Sequence, residues 1–299
     1  MHARVPVIVV ALAASILPTR AQDVGAPQQQ VPVFRGATER VRFDVLAMDG
    51  RKPISGLTAE DFEVTDNGIP QKVELSATAG NVAVALALDV SGSMEDNGAM
   101  KDLVGGCQAV VNALKPADLA WLVTFSDQFT LRATPASERP DLLRALEGLK
   151  ARAGTSMWDA LFASVSLVNG TAGRSLVLLF TDGQDTTSWL REKPAMDTLQ
   201  RSDVVVNVVM PRYPSTGFLA MEAATKATGG TLMEAERSDK LARQFVKLLD
   251  DFRSGYVLSY SPAGVPRDDG WHDVKIKLKQ RKGSVRARPG YFAAIASRR

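Results

Sequence analysis

Cysteine is nearly absent from this chain: Cys107 is the only one in 299 residues. A single thiol excludes an internal disulfide framework, a cysteine-rich zinc site and a cysteine-ligated iron–sulfur cluster. Histidine is almost as scarce, with only His2 and His272. A histidine-based metal centre is therefore excluded in practice, and any metal would have to be held by oxygen. No large charge surplus exists either. The 36 basic and 33 acidic side chains leave a formal +3, no basis for general nucleic-acid binding. No P-loop, dinucleotide fingerprint or Gly-x-Ser-x-Gly nucleophile elbow occurs. What is present is ordinary for a globular protein: 45% apolar and 23% charged residues, in a length that fits one large domain or two moderate ones.

The longest apolar run, Val5–Leu17, follows Arg4 and precedes Pro18-Thr19-Arg20-Ala21. That charged, apolar, small-residue order is the pattern of a secretory signal, so residues 1–21 are expected to be removed on export. The run is shorter than the roughly 20 residues needed to cross a bilayer. The mature chain is thus expected to lie outside the cytoplasm, periplasmic or secreted, with no transmembrane span and as a monomer. Without Arg4 and Arg20 it holds 34 basic and 33 acidic side chains and is close to neutral. Cys107 then reads as a buried, unpaired apolar residue.

Residues 22–34 are rich in Gln, Pro and Ala and read as a linker. Residues 35–78 read as strands. Val41, Phe43 and Val45 alternate with Arg42 and Asp44, and Asp66-Asn67-Gly68 signals a hairpin turn after Phe62 and Val64, with Val73 and Leu75 returning. Thr58, three residues before Asp61, starts a single helical turn. From 79 to 253 strands alternate with helices. Val82–Leu88 is continuously apolar, as in a parallel strand covered on both faces. Further strands are expected at Leu119–Phe125, Ser175–Phe180 and Val204–Val209, with Phe129–Arg132 as an antiparallel edge. Helices are expected from Met100 to Leu114 and at Pro140–Leu149, Met157–Val168, Ala195–Arg201, Phe218–Ala227 and Ser238–Phe252. Residues 254–299 return to strands. The fold class is α/β, a doubly wound, mostly parallel, Rossmann-like sheet. The two flanks, each too short to bury a core alone, pair into a small β-sandwich around the inserted domain.

Five oxygen-bearing residues stand where such a sheet binds its ligands. Asp89, Ser91 and Ser93 follow the first buried strand, Thr155 lies in a Gly-Thr-Ser loop before a helix, and Asp182 follows a second buried strand. In open α/β sheets the crevice lies beyond the carboxyl ends of the strands, where strand order reverses. Two carboxylates and three hydroxyls are hard ligands suited to Mg²⁺, Mn²⁺ or Ca²⁺. A simpler reading of the same residues is helix capping and turn closure.

The ordered set Asp89-x-Ser91-x-Ser93, Thr155 and Asp182 resembles the metal-ion-dependent adhesion site of the von Willebrand factor A domain, over roughly residues 80–253. The flanks, including Asp66-Asn67-Gly68, Tyr256–Tyr260 and Arg286–Phe292, are similar to exported VWFA-related proteins of the type first noted in Acidobacteria. The resemblance implies that Ser91, Ser93 and Thr155 bind a divalent cation, Mg²⁺ first, through their hydroxyls, with Asp89 and Asp182 contributing partly through water. It implies a protein partner that supplies a carboxylate to the metal, and binding without catalysis. Two alternatives stand beside this: a metal-dependent hydrolase or phosphatase using Asp89, and a structural scaffold in the cell envelope. Ser91 occupies the position where a phosphoaspartate enzyme carries a second aspartate, which argues against the hydrolase.

Other features read more simply. Glu95 and Asp96 are expected as solvated first-turn acids. Gly105 and Gly106 permit close helix packing. Lys275, Lys277, Lys279, Arg281, Lys282, Arg286 and Arg288 form a solvated basic face, and His272 sits at a turn or strand edge.

Overall fold

The computed structural model describes residues 40–76, 80–96, 99–211, 216–235, 240–266 and 270–293. Residues 1–34, expected to hold the signal and linker, lie outside them. Period-two alternation shapes the first flank. In β1 (Val41–Asp49) Val41, Phe43, Val45 and Ala47 are buried on one face. After β2 (Lys52–Pro53), Thr58 opens a one-turn 3₁₀ helix at Ala59–Asp61, and the Asp61 carboxylate accepts the Thr58 backbone N–H at 2.7 Å. β3 (Phe62–Asp66) turns through Asn67-Gly68, both with positive φ, into β4 (Ile69–Gln71). The return is shorter than expected. The chain leaves this sheet after Gln71, and Leu75 belongs to β5 (Glu74–Ser76), which pairs in a different sheet.

The central sheet grows from β6 (Val82–Asp89), buried at every position. α1 (Gly92–Asp96) and α2 (Ala99–Ala113) lead to β7 (Leu119–Phe125) and the antiparallel edge β8 (Phe129–Ala133). α3 (Arg139–Ala145) ends earlier than expected, and α4 (Met157–Val168) returns the chain to β9 (Arg174–Phe180) on the other side of β6. α5 (Glu192–Arg201), β10 (Val205–Pro211), α6 (Phe218–Thr228), β11 (Leu232–Ala235) and α7 (Lys240–Ser254) complete it. The strand order is β11-β10-β9-β6-β7-β8, parallel except for β8. The short parallel edge β11 has no counterpart in the sequence reading, because four residues carry too little period to register.

The two faces of β6 differ in bulk, and that difference sets the layers. Val82, Val84, Leu86 and Leu88 pack with Leu103, Cys107 and Val111 of α2 and Phe245, Leu248 and Leu249 of α7. Ala83, Ala85 and Ala87 face Met157, Leu161 and Val165 of α4, with α5 and α6 beyond. Side chains of one carbon on that face let α4 lie close to the sheet. Cys107 is fully buried among the first set, and burial pushes its thiol ionisation far up.

The second flank adds β12 (Tyr256–Tyr260), β13 (Trp271–Leu278), β14 (Ser284–Arg286) and β15 (Gly290–Phe292). β12 pairs antiparallel with β1, Val41 opposite Tyr260, and β13 pairs antiparallel with β3, Ile276 opposite Val64. Sheets β14-β1-β12-β5 and β15-β13-β3-β4 thus each draw strands from both flanks, and they share one core centred on Phe43, Phe62, Leu258 and Tyr260.

This sandwich sits against the amino ends of the central strands. Arg174, at the start of β9, pairs with Asp44 of β1 at 2.5 Å, donates to the Gly255 carbonyl at 3.3 Å and stacks 4.1 Å from the Phe252 ring centre. Both side chains of the pair are almost wholly buried. Arg288 bonds the Ser202 and Arg42 carbonyls, pairs with Asp203 at 2.8 Å and lies over Phe43. Arg286 donates to Thr231 at 2.7 Å. The expected basic face is corrected at Arg288 alone: Lys275, Lys277, Lys279, Arg281, Lys282 and Arg286 are exposed, Arg286 with a surface bond to Thr231, whereas the Arg288 side chain is largely buried and fastens the sandwich to the α/β part. His272 needs the same correction. It is 2% exposed, and its Nδ1 lies 2.9 Å from Asp66, which also accepts the Tyr260 and Tyr291 hydroxyls at 2.9 Å each. A buried carboxylate needs such partners, and those donors are remote in sequence.

Adjacent glycines in α2 do opposite things. A Cβ on Gly106 would meet the Phe245 ring at 2.8 Å, whereas one on Gly105 would meet nothing within 4 Å. Gly106→Ala is therefore expected to destabilise the fold by about 1–3 kcal/mol through overpacking. Gly105→Ala is expected to stabilise it by about 0.5–1 kcal/mol through helix propensity. Urea unfolding midpoints of the two variants check the pair.

Candidate metal centre

Strand order reverses beside β6: the chain first builds outward to β7 and β8, then crosses to β9 on the other side. The connections leave the sheet in opposite directions and open a crevice at the carboxyl ends of β6 and β9. Asp89 is the last residue of β6 and Asp182 lies just past β9, and neither is exposed at all.

Each oxygen of Asp89 is held. Oδ1 accepts the Ser91 backbone N–H at 2.9 Å, and Oδ2 accepts the Thr181 hydroxyl at 2.7 Å. Thr181 Oγ1 itself accepts the Gly183 N–H at 3.0 Å, and Asp182 accepts the Gln184 N–H at 3.0 Å. The hydroxyls of Ser91 and Ser93 lie 3.1 Å apart, the first buried and the second half-buried. Gly183 has φ of 80°, and Gly217 packs so closely on it that a Cβ there would fall 1.7 Å from the Gly183 oxygen. Only glycine pairs allow that approach.

Thr155 arrives from a different direction. Its loop lies across the ends of β6 and β7, with Arg152 N–H donating to the Val90 carbonyl at 2.9 Å and Ser156 N–H to the Ser126 carbonyl at 2.6 Å. The buried Thr155 is also tied to the loop after β9. Its carbonyl accepts the N–H groups of Thr186 and Thr187 at 2.8 and 3.0 Å, and its own N–H donates to the Thr186 hydroxyl at 2.8 Å. The structure therefore brings the loops bearing all five expected residues to one end of the sheet. Glu95 is exposed in α1, while the side chain of Asp96 lies outside the described residues.

Sequence reasoning missed the supports. The first N–H groups of α4 are capped from the loop after β9: Asp185 accepts Met157 N–H at 2.9 Å, and Ser188 accepts Trp158 N–H at 3.0 Å. Asp159 answers in the other direction, accepting Trp189 and Leu190 N–H at 2.9 Å each. A capping residue normally precedes its helix, so no local motif marks Asp185 or Ser188. Thr181 gave a signal only through its place next to Asp182.

The electrostatics follow from burial. Desolvation raises the Asp89 pKa from 3.8 to about 6, against the opposing hydrogen bonds from Ser91 and Thr181, and the neighbouring Asp182 charge adds to the rise. Among the described residues Asp89 has no ion pair, and no group of three or more His, Cys, Asp or Glu is placed to hold a metal. What remains is a mixed set of carboxylates and hydroxyls around a buried, uncompensated carboxylate. That donor set fits a hard divalent cation.

Comparison with known proteins agrees with the fold. Residues 84–184 match the family model of the von Willebrand factor type A domain. The structure is similar to a von Willebrand factor type A protein from Catenulispora acidiphila, with 14% identity and a TM-score of 0.54, covering 83% of this chain and 75% of that one. It is also similar to BatB from Bacteroides thetaiotaomicron, at 14% identity, TM-score 0.47, and coverage of 57% and 98%. A third similar structure is proximal thread matrix protein 1 of the mussel byssus with a zinc-occupied MIDAS motif: 18% identity, TM-score 0.49, coverage 62% and 49%. No curated protein sequence matches the chain. Among the described residues no helix is long and apolar enough to cross a membrane.

The raised Asp89 pKa has a signed consequence for metal-free protein. Between pH 3.8 and about 6 the folded state keeps a proton that the unfolded state has released. Stability contributed by this group is thus present at low pH and lost as pH rises through that window. The loss is expected to reach roughly 3 kcal/mol, at about 1.4 kcal/mol per pKa unit. Chemical unfolding in chelator across this window, for wild type and Asp89→Asn, checks it: the difference between the two curves should slope only in the wild type's disfavour.

Proposed function

We propose that this chain is an exported, non-catalytic binding protein that holds a divalent cation at Asp89, Ser91, Ser93, Thr155 and Asp182 and grips an acidic residue of a protein partner through it. The observation that carries the reading is Asp89: fully buried, without an ion pair among the described residues, its ionisation opposed by burial and by Asp182. A cation beside it would relieve that cost. Mg²⁺ is the proposed ion, with Mn²⁺ and Ca²⁺ as substitutes. Mg²⁺ binds through one or two carboxylates and keeps several waters, which suits a site with two carboxylates and neutral hydroxyls.

The role of each residue follows from its chemistry. Ser91, Ser93 and Thr155 would offer neutral oxygens, and Asp89 and Asp182 would supply the compensating charge. Neutral ligands leave a bound cation strongly electrophilic, and it would supply a coordination position open to a carboxylate. Thr181 is a positioning residue, since its hydroxyl orients Asp89 Oδ2 at 2.7 Å. Ser91 in place of a second aspartate supports binding over turnover. Export rests on the charged, apolar, small-residue order of residues 1–21.

Calorimetric titration of Mg²⁺ into chelator-stripped protein tests the reading. Wild type should bind, Asp89→Ala should not, and Thr181→Val should bind roughly 10- to 100-fold more weakly, as expected for loss of an orienting partner. Circular dichroism should show all three folded. Equal binding by Asp89→Ala would sink the metal site, and metal-dependent hydrolysis of a phosphate ester lost in Asp89→Ala would replace binding by catalysis.

A further inference from the structure

A cavity of about 420 Å³ lies where the sandwich meets the amino ends of the central strands. It is a gap between the two layers and no crevice of the sheet itself. The sandwich contributes Arg42 of β1 and Val257 and Ser259 of β12, and the α/β part contributes Gly173, Arg174 and Asp203 at the starts of β9 and β10. Its volume falls within the range of small-molecule sites, which favour such junctions.

Charge pairing around the cavity leaves one group over. Arg40, also in its lining, pairs with Glu74, Arg174 pairs with Asp44, and Asp203 pairs with Arg288. Arg42 has no carboxylate partner among the described residues. Its Nη2 donates to the Gly173 carbonyl at 3.1 Å, and its Nε is buried without a hydrogen bond. Of the five N–H donors of a guanidinium, those on Nη1 are uncommitted among the described residues.

Ser259 is the second unspent group. It stands directly opposite Arg42 in the pairing of β1 with β12, so the two side chains share one face of that sheet. The residue is 5% exposed, and its hydroxyl makes no hydrogen bond among the described residues. Buried polar groups are normally paired, and a charge withdrawn from water is costly without a counter-charge. An anion accepting from both residues would satisfy both at once.

We propose that this cavity binds a small organic acid, its carboxylate held by Arg42 and Ser259 and its body lying along Val257. A guanidinium matches the planar carboxylate in shape as well as charge. The charge count selects a monoanion. Only Arg42 is in excess, and Asp203 lines the same cavity, so the second charge of a phosphate would have no partner.

Thermal unfolding of the protein with a panel of monocarboxylates from acetate to benzoate tests the site. Chelator is present throughout, which keeps carboxylates off any metal, and phosphate and chloride serve as controls. A ligand that binds only the folded state raises the midpoint as its concentration rises. At least one acid should do so for wild type, by more than either control. Arg42→Gln should abolish the shift, and Arg42→Lys, which keeps the charge, should retain a smaller one. Ser259→Ala should weaken binding roughly 10-fold, as for one hydrogen bond to a charged group, and it keeps the test open should Arg42→Gln fail to fold. Acetylated trialanine, compared with its C-terminal amide, separates a free acid from a peptide end. A shift by that peptide acid alone would make the occupant a chain terminus and overturn the proposal. So would no shift by any acid, equal shifts in wild type and the Arg42→Gln or Ser259→Ala variants, or shifts by phosphate or chloride as large as those by the acids.

Discussion

The buried pair of Arg174 and Asp44 joins the two halves of this molecule. Arg174 opens β9 and Asp44 sits in β1, so one ion pair ties the central sheet to the sandwich, and the same guanidinium reaches the Gly255 carbonyl where the chain re-enters the sandwich. Two charges this deeply buried hold only while both are present, because a lone survivor would carry the full desolvation cost. The pair is reinforced around its edge by Arg288, by Arg42 on the Gly173 carbonyl, and by Arg253, which pairs with Asp118 and bonds the Ala113 carbonyl. Every one of these contacts lies at the amino ends of the central strands.

That placement has a functional consequence. A parallel sheet has two unlike ends, and the sandwich covers the one that carries no ligand-binding crevice. The carboxyl end is left for the loops after β6 and β9 and the loop before α4. Those loops are short of regular structure, yet Asp89, Thr181, Thr155 and Thr186 bond one another across them. Positioning is therefore supplied by strand ends and cross-loop hydrogen bonds, and the α4 cap from Asp185 and Ser188 locks the arrangement to a helix.

The central sheet was legible in the sequence because its signals are local. A strand covered on both faces is apolar at every residue, as Val82–Leu88 is, and helices with one buried stripe repeat at their own period. Asp89, Ser91 and Ser93 were legible for a similar reason, since they fall within five residues at a strand end. The features that were not legible are the ones made by residues far apart in the chain. Asp66 meets His272 and Tyr291, Asp44 meets Arg174, and Asp185 caps a helix that precedes it. In each case a polar residue that looked solvent-facing has its partner more than twenty positions away. Alternation shows which face a side chain takes, but not whether that face meets water or another domain. Arg288 falls under the same rule: it bonds the Ser202 and Arg42 carbonyls, while Lys275, Lys277 and Lys279 face solvent.

Cys107 carries an implication of a different kind. It is the only thiol in the chain and lies fully buried between β6, α2 and α7, where burial holds its proton on. A thiol reacts as its thiolate, so the native protein is closed to oxidants and to alkylating reagents at this position. Modification requires α2 to lift from the sheet. The rate at which a thiol reagent labels the protein is thus a clock for that one opening, with no competing cysteine to blur the reading. The helix carrying this clock is the one that follows Ser93 and α1, so the same residue would time any motion by which events at the crevice reach the core.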